Sequence, residues 1–168
     1  LKRKNHPVGE TPPPLLRKEG SFVCESPEHT FSLGEQTGGE LSGGDVVLLY
    51  GGLGAGKTLL TKGILHALEY DIDEVTSPSF TLVNLYKTAK LDVYHIDLWR
   101  LDNNADASEA VGLDDILETE NAIVIIEWAD RLAKNALPGS AISIHIKGDG
   151  NEPRRIDIER NVSANKTR

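Results

Sequence analysis

Among 168 residues there is no methionine and only one cysteine, Cys24. A lone thiol cannot build an internal disulfide framework or a Cys-rich zinc site, and such sparing use of cysteine fits a chain kept in a reducing cytoplasm. No stretch approaches the ~20 consecutive apolar residues of a membrane-spanning helix. Lys2, Arg3 and Lys4 lie near the start, but no apolar run follows them, which excludes the pattern of a secretory signal. The lack of methionine, with Leu1 first, marks either a fragment or a non-AUG start translated literally.

Basic charge is also in deficit, with 18 Lys and Arg against 26 Asp and Glu and a net charge of −8. The deficit is uneven. Residues 1–20 hold five basic and two acidic residues, and 160–168 hold three basic residues and no acid, which leaves −14 on 21–159. A body this acidic argues against a nucleic-acid groove of its own, because phosphate contacts need clustered Lys and Arg. What is present is ordinary for a globular chain: 39% hydrophobic and 26% charged residues. The length suits one domain with a sizeable core.

The pattern along the chain predicts three parts. Residues 1–20, with Pro12-Pro13-Pro14, read as a disordered leader. Residues 21–159 read as the folded domain, and 160–168 as a flexible tail. Within the domain, Ser26-Pro27 is an N-cap followed by proline at the first helical position, opening a helix that fades near Gly38-Gly39. Val46–Tyr50 and Ile123–Ile126 are continuous apolar runs, the pattern of strands buried on both faces. Leu60, Ile64 and Leu68 mark a helix starting at Lys57. Thr81–Tyr86 and Leu91–Leu98 read as a hairpin joined by residues 87–90. Asp106 and Glu109 have capping-box spacing for a helix running toward Leu117. Ile142, Ile144 and Ile146, then Ile156 and Ile158, alternate like antiparallel strands covered on one face and turned around Gly148-Asp149-Gly150. The sum is an α/β domain with parallel central strands and antiparallel additions.

Gly51-Gly52-Leu53-Gly54-Ala55-Gly56-Lys57-Thr58 fits G-x-x-x-x-G-K-[ST] between a buried strand and an amphipathic helix, which makes the expected fold an α/β three-layer sandwich of the P-loop NTPase kind. Glycines let the backbone curl so that successive N–H groups face phosphate oxygens. The helix N-terminus adds partial positive charge. Lys57 can reach the β- and γ-phosphates, and the Thr58 hydroxyl can ligate Mg2+. Leu41-Ser42-Gly43-Gly44-Asp45 has the look of a transport-ATPase signature loop, but it lies upstream of the phosphate loop and reads as a glycine turn feeding the next strand.

A phosphate loop needs an acid at the end of a neighbouring buried strand. Asp97 and Glu127 both occupy such ends, where ligands bind in open α/β sheets. Neither Asn-Lys-x-Asp nor Asp-x-x-Gly occurs, which favours ATP over GTP. No lid-sized insertion with arginines is visible, so a P-loop small-molecule kinase is the weaker alternative; a nucleotide-dependent interaction module is a third. Arg154 and Arg155 belong to the last hairpin. His95 reads as a packed strand residue.

Four segments then occur in order: Gly51–Thr58; Ser77-Pro78-Ser79-Phe80-Thr81-Leu82-Val83; His95-Ile96-Asp97-Leu98-Trp99-Arg100; and Glu127-Trp128-Ala129-Asp130-Arg131. Together they resemble the bacterial TsaE (YjeE) family of ATPases, from about Ser26 to Ile158. The resemblance implies a weak ATPase supporting threonylcarbamoyl transfer to N6 of adenosine 37 in tRNAs that read ANN codons. It implies partners, a TsaD-type transferase and a TsaB-type protein, with tRNA met only within the complex, and a cytoplasmic setting. It implies ATP and Mg2+ as cofactors. By the same resemblance Lys57, Asp97 and Glu127 are the catalytic set, and Thr58 and Glu127 hold the metal. Thr30, Gly52, Leu53, Gly54, Ala55, Gly56, Lys57, Thr58 and Leu59 contact the nucleotide, with Thr30 near the adenine. Ser79, Thr81 and Trp128 are switch or partner-contact candidates. The chain departs from the family at Gly52, usually Asp, at Leu59, often Thr, and at Trp99, usually Tyr.

Overall fold

A computed structural model describes residues 19–101, 106–133 and 140–161. Most of the expected leader and tail therefore lies outside the described residues. Seven strands form one sheet: β1 (Gly20–Cys24), β2 (Val46–Tyr50), β3 (Val83–Lys87), β4 (Asp92–Asp97), β5 (Ala122–Glu127), β6 (Ala141–Lys147) and β7 (Arg154–Asn161). Their order is β1-β7-β6-β2-β5-β4-β3. The centre, β6-β2-β5-β4, is parallel, while β7, β1 and β3 join antiparallel at the two sides. This is the expected α/β arrangement of parallel centre and antiparallel additions.

The side-chain period of two explains the layers. Val47 and Leu49 of β2 pack with Leu33, Leu60 and Ile64. These come from helices α1 (Pro27–Glu40) and α2 (Lys57–Ala67). Val46 and Leu48 turn to the other face and meet Ile96, Leu113 and Ala129. That face is covered by two short helices, α3 (Ala107–Val111) and α4 (Leu113–Leu117), and a 3-10 turn at Ala129–Arg131. β5 is buried along its whole length, as its apolar run requires.

Four details differ from the sequence reading. The helix expected from Asp106 to Leu117 is two helices, broken at Gly112, whose φ of 64° is left-handed. Asp106 does cap it, accepting from the N–H groups of Ser108 and Glu109. The first strand of the hairpin begins at Val83 rather than Thr81, after Leu82 with φ 64°. β6 is not a one-faced strand: it pairs parallel with β2, and four successive residues, Ala141–Ile144, are buried. β1 has no counterpart in the strand patterns of the sequence. It is short and its pattern is weak, with Val23 exposed, and it exists because β7 offers an edge to pair with.

The helix expected to fade near Gly38-Gly39 ends at Glu40. Gly34 and Gly38 serve close approach. A Cβ on Gly34 would lie 2.3 Å from the Leu60 carbonyl oxygen, one on Gly38 2.6 Å from that of Ile64, and one on Gly63 2.2 Å from that of Phe31. α1 and α2 thus pack backbone to backbone. Gly63→Val is expected to cost about 2–3 kcal/mol of stability, because the clash is with main chain and cannot be relieved by a rotamer change. A urea denaturation midpoint equal to that of the parent would contradict this packing.

Candidate functional site

The parallel strands end at one edge, and β2 is the switch point between strands added on either side. Crevices outside the carboxyl ends of strands form at such points. Gly51–Thr58 leaves β2 here. Gly54 (φ 74°) and Gly56 (φ 109°) supply the left-handed backbone that bends the loop. Gly56 is the N-cap of α2 and brings no side-chain oxygen to the first-turn N–H groups. An anion can take that place.

Lys57 is buried, and its ammonium donates to the carbonyls of Gly51 at 2.7 Å and Gly52 at 2.8 Å. The Trp128 ring lies over it, with the nitrogen 4.1 Å from the ring centroid. Burial pushes the Lys57 pKa down from its ordinary value, opposed by the charges of Glu127, Asp97 and Asp130. Trp128 holds a left-handed conformation, φ 58°, directly after β5. Its ring packs against Trp99 at 4.5 Å between centroids, and the Arg131 guanidinium lies near both.

Asp97 and Glu127 are cross-strand partners at the ends of β4 and β5. The pairing brings together two acids thirty residues apart in sequence. The Thr58 hydroxyl donates to Glu127 Oε1 at 3.0 Å. His95 Nε2 lies 2.8 Å from the same oxygen, in a fully buried position. With Nε2–H directed at the carboxylate, the unpartnered His95 Nδ1 is left as a lone pair. Asp97 is held differently: Ser77 Oγ donates to Oδ2 at 2.9 Å and the Trp99 N–H to Oδ1 at 2.8 Å.

The structure therefore gathers Lys57, Thr58, Asp97, Glu127 and Trp128 at one edge, and adds Ser77 and His95. His95 is a packed strand residue, as read from the sequence, but one whose ring bonds to the acid of the next strand. The loop residues divide between two clefts. Gly54, Ala55 and Gly56 share a cleft of about 210 Å3 with Thr30 and Leu59. Gly52 and Leu53 face a larger groove beside Tyr50 and His145. Ser79 and Thr81 lie in the turn between Ser77 and β3, where Thr81 bonds to Asn84 at 2.9 Å. Phe80 in that turn is 81% exposed and lies under the Arg100 guanidinium at 4.1 Å. Cys24 is buried, and burial pushes its thiol pKa up, which fits no nucleophile. The segment from Leu41 to Asp45 is a turn into β2, closed by the Ser42 N–H donating to Asp45 at 2.8 Å.

Thr58 and Glu127 present the hard oxygen donors that Mg2+ takes. Among the described residues no group of three or more His, Cys, Asp or Glu side chains is placed to hold a metal ion. A hydroxyl and a carboxylate suit a cation that keeps waters and phosphate oxygens for its remaining positions.

The model of the family described as "Threonylcarbamoyl adenosine biosynthesis protein TsaE" matches residues 24–156. The chain belongs to the TsaE family. It is 39% identical over 123 residues to the tRNA threonylcarbamoyladenosine biosynthesis protein TsaE of Mycobacterium leprae, covering 70% of this chain and 76% of that protein. It is 37% identical over 139 residues to the TsaE of Bacillus subtilis, covering 83% and 84%. The crystal structure of YdiB from Bacillus subtilis superposes with a TM-score of 0.68 at 30% identity, covering 86% of each chain. The matched region of this TsaE-family chain runs from β1 into β7 and so contains every site residue named above. No helix among the described residues is long and apolar enough to cross a membrane.

Proposed function

We propose that this chain is the ATP-binding and ATP-hydrolysing accessory protein of threonylcarbamoyl modification at adenosine 37 in tRNAs that read ANN codons. It works in the cytoplasm with a TsaD-type transferase and a TsaB-type partner. Family membership supports the pathway. The observation that carries the chemistry is the convergence of Lys57, Thr58 and Glu127 beside the open N-terminus of α2.

In this reading the loop N–H groups and Lys57 bind the β- and γ-phosphates. Lys57 leaves the Gly51 and Gly52 carbonyls to do so, an exchange of one set of oxygen acceptors for a more strongly charged one. Thr58 and Glu127 would hold Mg2+, which when bound would supply charge neutralisation at the phosphate oxygens. His95 steadies Glu127 from the buried side, as an outer partner orients a metal-binding carboxylate. Asp97, fixed by Ser77 and the Trp99 N–H, faces the same edge and completes the catalytic set. Thr30 and Leu59 line the cleft for the base side of the nucleotide. Phe80, with Ser79 and Thr81 beside it, and Trp128 form the partner-contact rim.

The test is ATP turnover by the purified chain, alone and with the transferase pair. Turnover that rises with the partners supports the accessory ATPase. Phosphate transfer to a metabolite would instead mean a kinase, and complex formation on nucleotide binding without turnover a pure interaction module. The −14 charge of residues 21–159 adds an expectation about tRNA. Deleting residues 1–18, which spares β1, should leave ATP turnover intact and alter tRNA association slightly at most. A mobility shift at two salt concentrations checks this, since each phosphate neutralised adds salt dependence. Tight tRNA binding by the truncated chain without partners would overturn it.

A further inference from the structure

The last hairpin reaches into the phosphate loop through one side chain. Arg154 begins β7 and pairs in register with Cys24 of β1, which fixes its backbone on that side of the strand. Its Nε donates to the Ala55 carbonyl at 2.9 Å, and Nη2 to the Gly54 carbonyl at 3.3 Å. On the other side, Nη2 donates to the Gly150 carbonyl at 3.0 Å, and Nη1 to that of Asp149 at 3.1 Å and to that of Glu152. A guanidinium has five N–H donors. All five are directed at main-chain carbonyls, two from the phosphate loop and three from the turn between β6 and β7. The turn is shaped for this: Gly148 (φ 114°) and Gly150 (φ 53°) are left-handed, and a Cβ on Gly148 would lie 2.8 Å from the Pro153 carbonyl oxygen.

We propose that Arg154 is a positioning residue for phosphate binding, a clamp that sets the peptide planes of the loop from outside. This rests on the nucleotide-binding reading of that loop. The physical reason is the rigidity of the peptide unit. The C=O of one residue and the N–H of the next lie in one plane and point in opposite directions. Holding the Ala55 carbonyl outward therefore turns the Gly56 N–H inward, and holding the Gly54 carbonyl fixes the plane before it. Glycine on both sides of Ala55 would otherwise leave these planes free to rotate. A carbonyl turned inward would face a phosphate with like charge. Lysine cannot replace this clamp, because an ammonium has three donors and no planar fork. Arg155, the exposed neighbour, carries the same charge on the same strand and is the control.

The full chain is titrated with ADP without metal, and ATP turnover is measured separately for kcat and KM. The variants are Arg154→Lys, Arg154→Gln and Arg155→Gln. The expected result is a roughly tenfold or greater loss of ADP affinity in both Arg154 variants, from loss of charge-assisted hydrogen bonds. KM for ATP should rise with it while kcat changes by no more than about twofold, as for a lost ground-state contact. Arg155→Gln should match the parent. If either Arg154 variant folds poorly, the unfolded fraction lowers kcat but leaves KM, so the KM reading still decides. ADP affinity and KM unchanged in Arg154→Lys would overturn the clamp, since charge alone would then suffice. Equal losses in Arg154→Gln and Arg155→Gln would overturn it too. A parent chain that binds no ADP would remove the phosphate-loop reading and the clamp together, whereas a parent that binds while Arg154→Lys is unaffected removes the clamp alone.

Discussion

In Lys57→Ala, ATP hydrolysis is expected to fall to background, a loss of about a hundredfold or more if the ammonium neutralises charge that grows in the transition state. Nucleotide affinity should fall as well, though less, because the loop N–H groups and the α2 N-terminus remain. Stability should hold. The Lys57 ammonium is buried against the Gly51 and Gly52 carbonyls, and its depressed pKa reflects the cost of that burial. Removing it relieves a desolvated charge while losing two hydrogen bonds, and these effects oppose one another. The measurements are steady-state phosphate release, ADP titration and a thermal melt. Parental turnover in a folded Lys57→Ala protein would end the phosphate-loop assignment. Trp128 gives an internal check: its ring loses the cation it covers, so its fluorescence should change in the variant even before nucleotide is added.

Glu127→Gln is expected to lower turnover by about a hundredfold or more, because a neutral amide neither neutralises nor orients a divalent cation as a carboxylate does. The fold should persist, since the amide fills the same volume. The half-saturating Mg2+ concentration should rise. Thr58 and His95 both direct a proton at Glu127 Oε1, and an amide oxygen placed there would keep both bonds. That makes the charge, not the packing, the quantity being tested. Asp97→Asn belongs in the same experiment. Asp97 is tied to Ser77 and to the Trp99 N–H rather than to the phosphate loop, so its loss should lower kcat with little change in metal dependence. A weakened metal dependence found only in Asp97→Asn would exchange the two roles.

Much of this protein was legible as local pattern. The phosphate loop is contiguous, and its chemistry needs glycines, a lysine and a hydroxyl at set spacing, so no tertiary knowledge is required to see it. β2 and β5 announce themselves because a strand covered on both faces must be apolar throughout. Glu127 stands out as a charge placed directly after such a run, and Asp97 as an acid closing the strand-like run from Val93 to Ile96.

What lay beyond the sequence depends on elements meeting across the sheet. The register of β4 on β5, which sets Asp97 beside Glu127 and His95 against its carboxylate, follows from burial on both faces at once, not from any local preference. Gly34 and Gly38 of α1 look like helix breakers until α2 is seen to need their missing side chains. β1 has almost no pattern of its own and becomes a strand only because β7 leaves an edge to be paired. Arg154 reads as one more surface arginine of a hairpin, and only the folded chain brings its guanidinium to Gly54 and Ala55, about a hundred residues earlier. Composition, periodicity and loop chemistry are properties of neighbours along the chain, and so a sequence carries them openly. The contacts that aim the Glu127 carboxylate and hold the loop's peptide planes join distant segments, and their geometry exists only once hydrophobic burial has fixed how the layers stack.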